Sequence, residues 1–238
     1  YRRYVVNKRR TLMKTALAAL LATTLAGEAM AAFTLNGTRF IYEEGKKSIS
    51  LEVNNSEEQT YGGQVWIDNV SQNGDDVFIV PSPPFFRVDG KGKQIVRLMN
   101  ANPALPKDRE SLFWLNVQEV PPKPKESEGS MLAIAMNTQV KLIYRPKAVA
   151  DGRKDAEKQL TFISRDGSVW LNNPTPYYFA VTKVLSNGKE VTLSGEAQKA
   201  VAMLAPYSAA GTGLKSLSGK LSVEAINDWG GTQTYEVK

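Results

Sequence analysis

The chain has 238 residues, 42% of them apolar, a formal net charge of +6, and neither cysteine nor histidine. That length suits one large domain or two ordinary ones, and without cysteine any core is held by packing rather than disulfides. Cys–His and Ser–His nucleophile pairs and Cys/His zinc centres are excluded, and the commonest general base is missing.

Residues 1–31 combine a basic stretch, "RRYVVNKRRTLMK", an apolar run, "TALAALLATTLAG", and "AMA" ending at Ala31. This is the order of a secretory leader with a small-residue cleavage site, Met13 being its natural start and residues 1–12 lying upstream. The apolar run falls short of the roughly 20 residues of a membrane span, so no stable membrane insertion is expected after leader removal. Taking away 1–31 removes six of the 30 Lys and Arg and one of the 24 Asp and Glu, which leaves a net charge of +1. The remainder carries no electrostatic footprint for nucleic acid or a membrane surface.

From residue 32 the sequence alternates in short apolar segments divided by turn residues. "TRFIYEEGKKSISLEVNN" predicts two strands about a glycine turn, and "YGGQVWIDNV" a third. "DDVFIVPSPPFFRVDGKGKQIVRLMN" predicts at least two more, and "RESLFWLNVQEV" and "MLAIAMNTQVKLIYRP" complete about seven. Regular turn spacing without a long helix predicts an immunoglobulin-like sandwich over 32–147. "VPPKPKESEGS", residues 120–130, is Pro-rich and charged and reads as a mobile loop between two neighbouring strands.

The last of these segments is unusually long. Leu132, Ile134, Met136, Thr138, Val140, Leu142 and Tyr144 share one parity, with Lys141 on the other. Strand side chains alternate between faces and strands average about five or six residues, so this apolar stripe exceeds one ordinary strand. Alternation alone leaves open whether its first half faces the chain's own core. "RPKAVADGRKDAEK", residues 145–158, reads as a hinge, and the alternation then resumes in "LTFISR", "SVWLNN", "YYFAVTKVLSNGKEVTL", "KAVAMLAP", "GKLSVEAIND" and "TQTYEVK". "SNG" between apolar runs predicts a hairpin. A second sandwich over 148–238 makes the predicted fold all-β, two immunoglobulin-like domains in series. Glu119 with Glu126, or Asp75 with Asp76, are the carboxylate pairs a sandwich hydrolase would need, but nothing in their spacing places them about a cleft.

Several stretches, in order along 32–238, resemble one family: "TRFIY" (38–42), "PPFFR" (83–87), "LPKDRESLFWLNVQEVPP" (105–122), "QVKLIYRP" (139–146), "NNPTPYYFAV" (172–181) and "INDWGG" (226–231). The family is the periplasmic chaperones that assemble pili by the chaperone–usher route, and the short, cysteine-free loop resembles its short-loop subgroup. The resemblance implies two sandwiches in an L with a cleft between them, no enzymatic activity, no cofactor and no metal. It implies pilus (fimbrial) subunits and an outer-membrane usher as partners in the periplasm, and leaves open whether the free chain caps its own edge as a dimer. Leu132, Ile134 and Met136 would be the donor-strand side chains that fill a subunit's open groove. Arg39 and Lys141 would anchor the subunit's C-terminal carboxylate. Glu110, Arg145 and Asp228 would form an interdomain charge network, and Pro83, Pro84, Phe85 and Arg97 an usher-facing patch. The rival reading is a structural pilus or surface adhesive subunit, which would usually carry a donor extension ahead of its first strand and a disulfide.

Overall fold

The computed structural model describes residues 31–123 and 134–238. Residues 1–30 and 124–133, on which most of the leader reading, most of the loop reading, Leu132 and Glu126 fall, lie outside the described residues. Nine strands come first: β1 (Phe33–Leu35), β2 (Arg39–Glu43), β3 (Ile49–Asn55), β4 (Tyr61–Asn69), β5 (Ile79–Ser82), β6 (Phe85–Val88), β7 (Lys93–Asn100), β8 (Ser111–Val120) and β9 (Asn137–Arg145). They form a four-stranded sheet in the order β1-β3-β7-β5 and a five-stranded sheet in the order β2-β9-β8-β4-β6. The inward parities of these strands build one core that includes Phe40, Tyr42, Leu51, Val96, Phe113, Leu115, Leu142 and Tyr144.

After a short helix α1 (Lys147–Ala150) and a 3-10 turn at Ala156–Gln159, seven more strands follow. They are β10 (Thr161–Arg165), β11 (Ser168–Asn173), β12 (Ala180–Ser186), β13 (Lys189–Val191), β14 (Ser208–Gly211), β15 (Leu221–Ile226) and β16 (Thr232–Glu236), with helix α2 (Gly195–Ala202) between β13 and β14. Their sheets run β10-β11-β14 and β13-β12-β15-β16, around a second core that includes Leu160, Leu171, Phe179, Val181, Val201 and Val223. The fold is therefore two β-sandwiches, as the alternation predicts. The "SNG" hairpin is present between β12 and β13, with Asn187 at φ 51° and Gly188 at φ 76°, the left-handed pair that a two-residue hairpin turn requires.

Two local expectations are corrected. "KAVAMLAP" is not a strand: Lys199–Ala202 is the last turn of α2. The Ser194 side chain accepts from the Ala197 amide at 3.2 Å and caps that helix. Ala197 and Val201, four residues apart, are its buried face. Within 145–158, Ala156 is buried in the second core beside Leu160. Finally, β9 begins at Asn137 and not near Leu132. Ile134–Met136 precede it, tied to β8 by one bond from the Glu119 amide to the Met136 carbonyl at 3.0 Å.

Leu112 and Ile143 are buried yet belong to neither core. They stand on the outward face of the five-stranded sheet and meet Tyr178, Phe179, Ala180 and Met203 of the second sandwich. That junction positions the site. Among the described residues, no helix is long and apolar enough to cross a membrane.

Candidate functional site

Strand β9 has two unlike halves. From Lys141 to Tyr144 it is paired on both edges, in parallel with β2 and antiparallel with β8, and Arg145 continues the pairing with β2. From Asn137 to Val140 it pairs with β8 alone, so among the described residues its other edge offers backbone N–H and C=O groups with no strand beside them. Burial follows the same division. Leu142 and Tyr144 are core, Val140 is half-buried against the core, and Met136 and Ile134 are 38% and 60% exposed. The apolar stripe thus continues out of the sandwich onto an open edge.

The step between the halves carries two cations. Parallel register places Arg39 directly beside Lys141 on the same face, the one turned toward the second sandwich. Neighbouring strands lie about 4.8 Å apart, so the two charges are close. Lys141 donates through Nζ to the Ala202 carbonyl at the end of α2, and Arg39 donates through an Nη to the Ile226 carbonyl at 3.3 Å. Arg39 Nε is buried without a hydrogen-bond partner among the described residues. Among the described residues, no carboxylate pairs with either side chain within salt-bridge distance. Burial, and then the Arg39 charge, push the Lys141 ammonium down to about 8. Burial likewise lowers the Arg39 guanidinium, with Asp228 pulling the other way. The site is a half-buried pair of like charges held by two backbone carbonyls, electrostatically short of an anion.

Four residues along the same face, the charges are matched. Arg145 Nε donates to Glu110 at 2.6 Å, and its two terminal nitrogens grip both oxygens of Asp228 at 2.7 and 3.0 Å. The other Glu110 oxygen accepts from the Tyr178 amide at 2.7 Å. Asp228 comes from the β15–β16 turn. There Gly230, at φ 85°, allows close approach to the first sandwich, because a Cβ at that position would fall 2.5 Å from Thr38 Oγ1. Sequence reasoning finds these three residues and misses two more. Arg153 grips Glu157 at 3.0 and 2.8 Å, lies 3.6 Å from Asp228, and covers the rings of Tyr177 and Phe179. An Arg–Glu pair four apart, on either side of buried Ala156, was the available signal.

Burial works against the charge on Arg145 and on Arg153, but their carboxylate partners outweigh it and both guanidinium groups are raised. Burial also works against the Asp228 carboxylate, and Arg145 outweighs it, so Asp228 is lowered. At Glu110 burial wins over Arg145 and the Tyr178 amide, and the carboxyl is raised.

The remaining candidates are dispersed. Phe85 is 67% exposed at the start of β6, Pro84 is exposed beside it, and Pro83 is half-buried. Exposed Arg97 of β7 stands opposite Ser82, the residue before Pro83. Phe86 turns inward and stacks near Phe33 at 6.2 Å between centroids. Asp75 and Asp76 are both exposed on the β4–β5 connection, and Glu119 is buried beside β1.

Residues 32–150 match the family model described as the pili and flagellar-assembly chaperone PapD N-terminal domain, and residues 155–237 match the pili assembly chaperone PapD C-terminal domain. The chain is 49% identical over 210 residues to the chaperone protein FanE of Escherichia coli, covering 88% of this chain and 92% of that one. It superposes on the crystal structure of the periplasmic chaperone SfaE with a TM-score of 0.68 at 31% identity, over 86% of this chain and 98% of that one. A solved complex of the Salmonella enterica SafA pilin with the SafB chaperone gives a TM-score of 0.73 at 24% identity, over 88% and 97% of the two chains, a likeness of fold.

Proposed function

This chain belongs to the pilus-assembly chaperone family, and from that premise we propose how its own residues hold a subunit. An incomplete subunit fold docks on the open edge of β9 between Ile134 and Val140, extending the five-stranded sheet by strand addition, a mode for which pilus chaperones are a known example. Ile134 and Met136, with Leu132 ahead of them, enter the subunit's apolar groove. Burying each stabilises the complex by about 1.5–3 kcal/mol before ordering costs. The subunit's C-terminal carboxylate seats between Arg39 and Lys141. There it replaces carbonyl acceptors with a full negative charge and supplies an acceptor to the orphan Arg39 donor. Seating the terminus sets the register, which matters because a slip by one residue would turn every apolar side chain away from the groove.

Glu110, Arg145 and Asp228 hold the two sandwiches at a set angle, with domain limits at 32–147 and 148–238. The exposed region of Pro83, Pro84, Phe85 and Arg97 faces the usher. The leader directs the chain to the periplasm, where folding and delivery of subunits require no cofactor. That the relatives are chaperones favours this over a structural pilus subunit. The reading is carried by the half-open edge of β9, where an exposed apolar stripe ends at two uncompensated cations. Co-expression with a cognate subunit, followed by co-purification, tests it: wild type should keep the subunit soluble, and Lys141→Ala should fold but lose it. Full recovery of subunit by Lys141→Ala would refute the anchor.

A further inference from the structure

Strand β8 sends Phe113, Leu115 and Val117 into the first core, and the next residue of that parity is Glu119. Its side chain is therefore aimed inward, and the residue is only 5% exposed. A buried carboxylate needs donors or a cation. Glu119 accepts from the Phe33 amide at 3.0 Å, and none of the ion pairs among the described residues includes it. Phe33 opens β1. Ala32, one residue earlier, is 2% exposed, and its carbonyl is held by Ser56 through the amide at 2.8 Å and the hydroxyl at 2.9 Å. One residue of chain spans at most roughly 3.6 Å, so the Ala32 nitrogen lies within about 7 Å of that carboxylate oxygen.

We propose that Glu119 receives the α-amino group that leader removal creates at Ala32, making the new chain terminus an internal ion-pair partner of the first sandwich. The inference rests on the leader reading with cleavage after Ala31. A peptidase adds water across the Ala31–Ala32 amide, Ala31 leaves as the carboxylate end of the leader, and Ala32 keeps the nitrogen as an ammonium. Before cleavage that nitrogen is a neutral amide and the buried carboxylate has no countercharge. Afterwards a cation stands at the end of β1, while the Glu119 amide still holds the Met136 carbonyl at the start of the open edge. Maturation thus completes the sandwich beside the segment that takes the subunit.

The test uses the exported protein. Intact mass first identifies its starting residue, and a start other than Ala32 overturns the inference together with the leader reading. With a start at Ala32, the α-amine is labelled at neutral pH by a limiting acylating reagent and read in the N-terminal peptide. We expect labelling at least about tenfold slower in folded than in urea-unfolded protein, as for an amine whose protonated form is favoured by one pH unit. Glu119→Gln should restore fast labelling, because burial without an ion pair would leave both proteins equally slow. A chain starting one residue early, at Ala31, gives a readout that does not depend on the variant folding, since its unfolding midpoint should fall below that of the mature chain. Fast labelling of the folded wild type, equally slow labelling of Glu119→Gln, or identical midpoints for the two starts would overturn the inference while leaving the leader reading intact.

Discussion

Arg145 and Lys141 lie four residues apart on the same face of one strand, yet they live in opposite electrostatic worlds. Arg145 is surrounded by acids, makes bonds to Glu110 and Asp228, and is raised by them. Among the described residues Lys141 has only a carbonyl acceptor and a like-charged neighbour, and is pushed down to about 8. Both are half or more withdrawn from water. The first arrangement is complete in the free chain; the second has no countercharge among the described residues. A matched buried charge is costly to break, and an unmatched one is held in readiness at the expense of stability.

The contrast can be broken most forcefully at Arg145. Arg145→Ala leaves buried Glu110 without its cation and half-buried Asp228 with Arg153 alone, and should cost about 3–5 kcal/mol in urea unfolding. A loss near zero would mean that the network is not a closed unit. The next effect is at the open edge. Replacing Ile134 and Met136 together by Ala should weaken subunit capture roughly a hundredfold, about 3 kcal/mol, with little change in the unfolding midpoint. A lowered midpoint with capture intact would place these side chains in the chain's own core.

At Lys141 the sign reverses. Its folded pKa, about 8, lies below its ordinary 10.5, so the unfolded chain binds more protons between those values. Stability therefore rises with pH through that window, and the charge destabilises the fold below pH 8. Lys141→Met should abolish subunit capture while raising stability by about 1 kcal/mol, after allowing for screening of a partly exposed group. Reduced stability would assign Lys141 a structural role. The smallest expected effect is on pH dependence. Subunit capture should fall a few-fold from pH 7 to pH 9 as the free ammonium is lost, and Lys141→Arg, which stays charged, should flatten that profile in a pull-down series.

Much of this site is legible in the residues themselves. The parity of Ile134 to Tyr144 gives the stripe, and motif likeness singles out Arg39, Lys141, Glu110, Arg145 and Asp228. Parity could not say where the stripe leaves the core, because that depends on where β2 begins beside β9, a long-range pairing with no local signal. α2 was hidden for a different reason: its last turn, "KAVA", imitates strand alternation, and the identifying feature is the Ser194 cap several residues earlier. Arg153 and Glu157 were hidden by composition, since a charged segment reads as solvated until buried Ala156 and Leu160 show which way it is turned. Glu119 sits at a core parity, and only the closeness of β1 explains why an acid is tolerated there.

The parallel pairing of β2 with β9 has one more consequence. β2 takes the edge of β9 from Lys141 onward, so a guest strand has a berth bounded at Arg39. Residues 134–140 offer about seven positions, roughly 23 Å at 3.3 Å each. A guest whose tail ends at the two cations must run in the same direction as β2, so that host and guest together read as one strand interrupted at a charged gap.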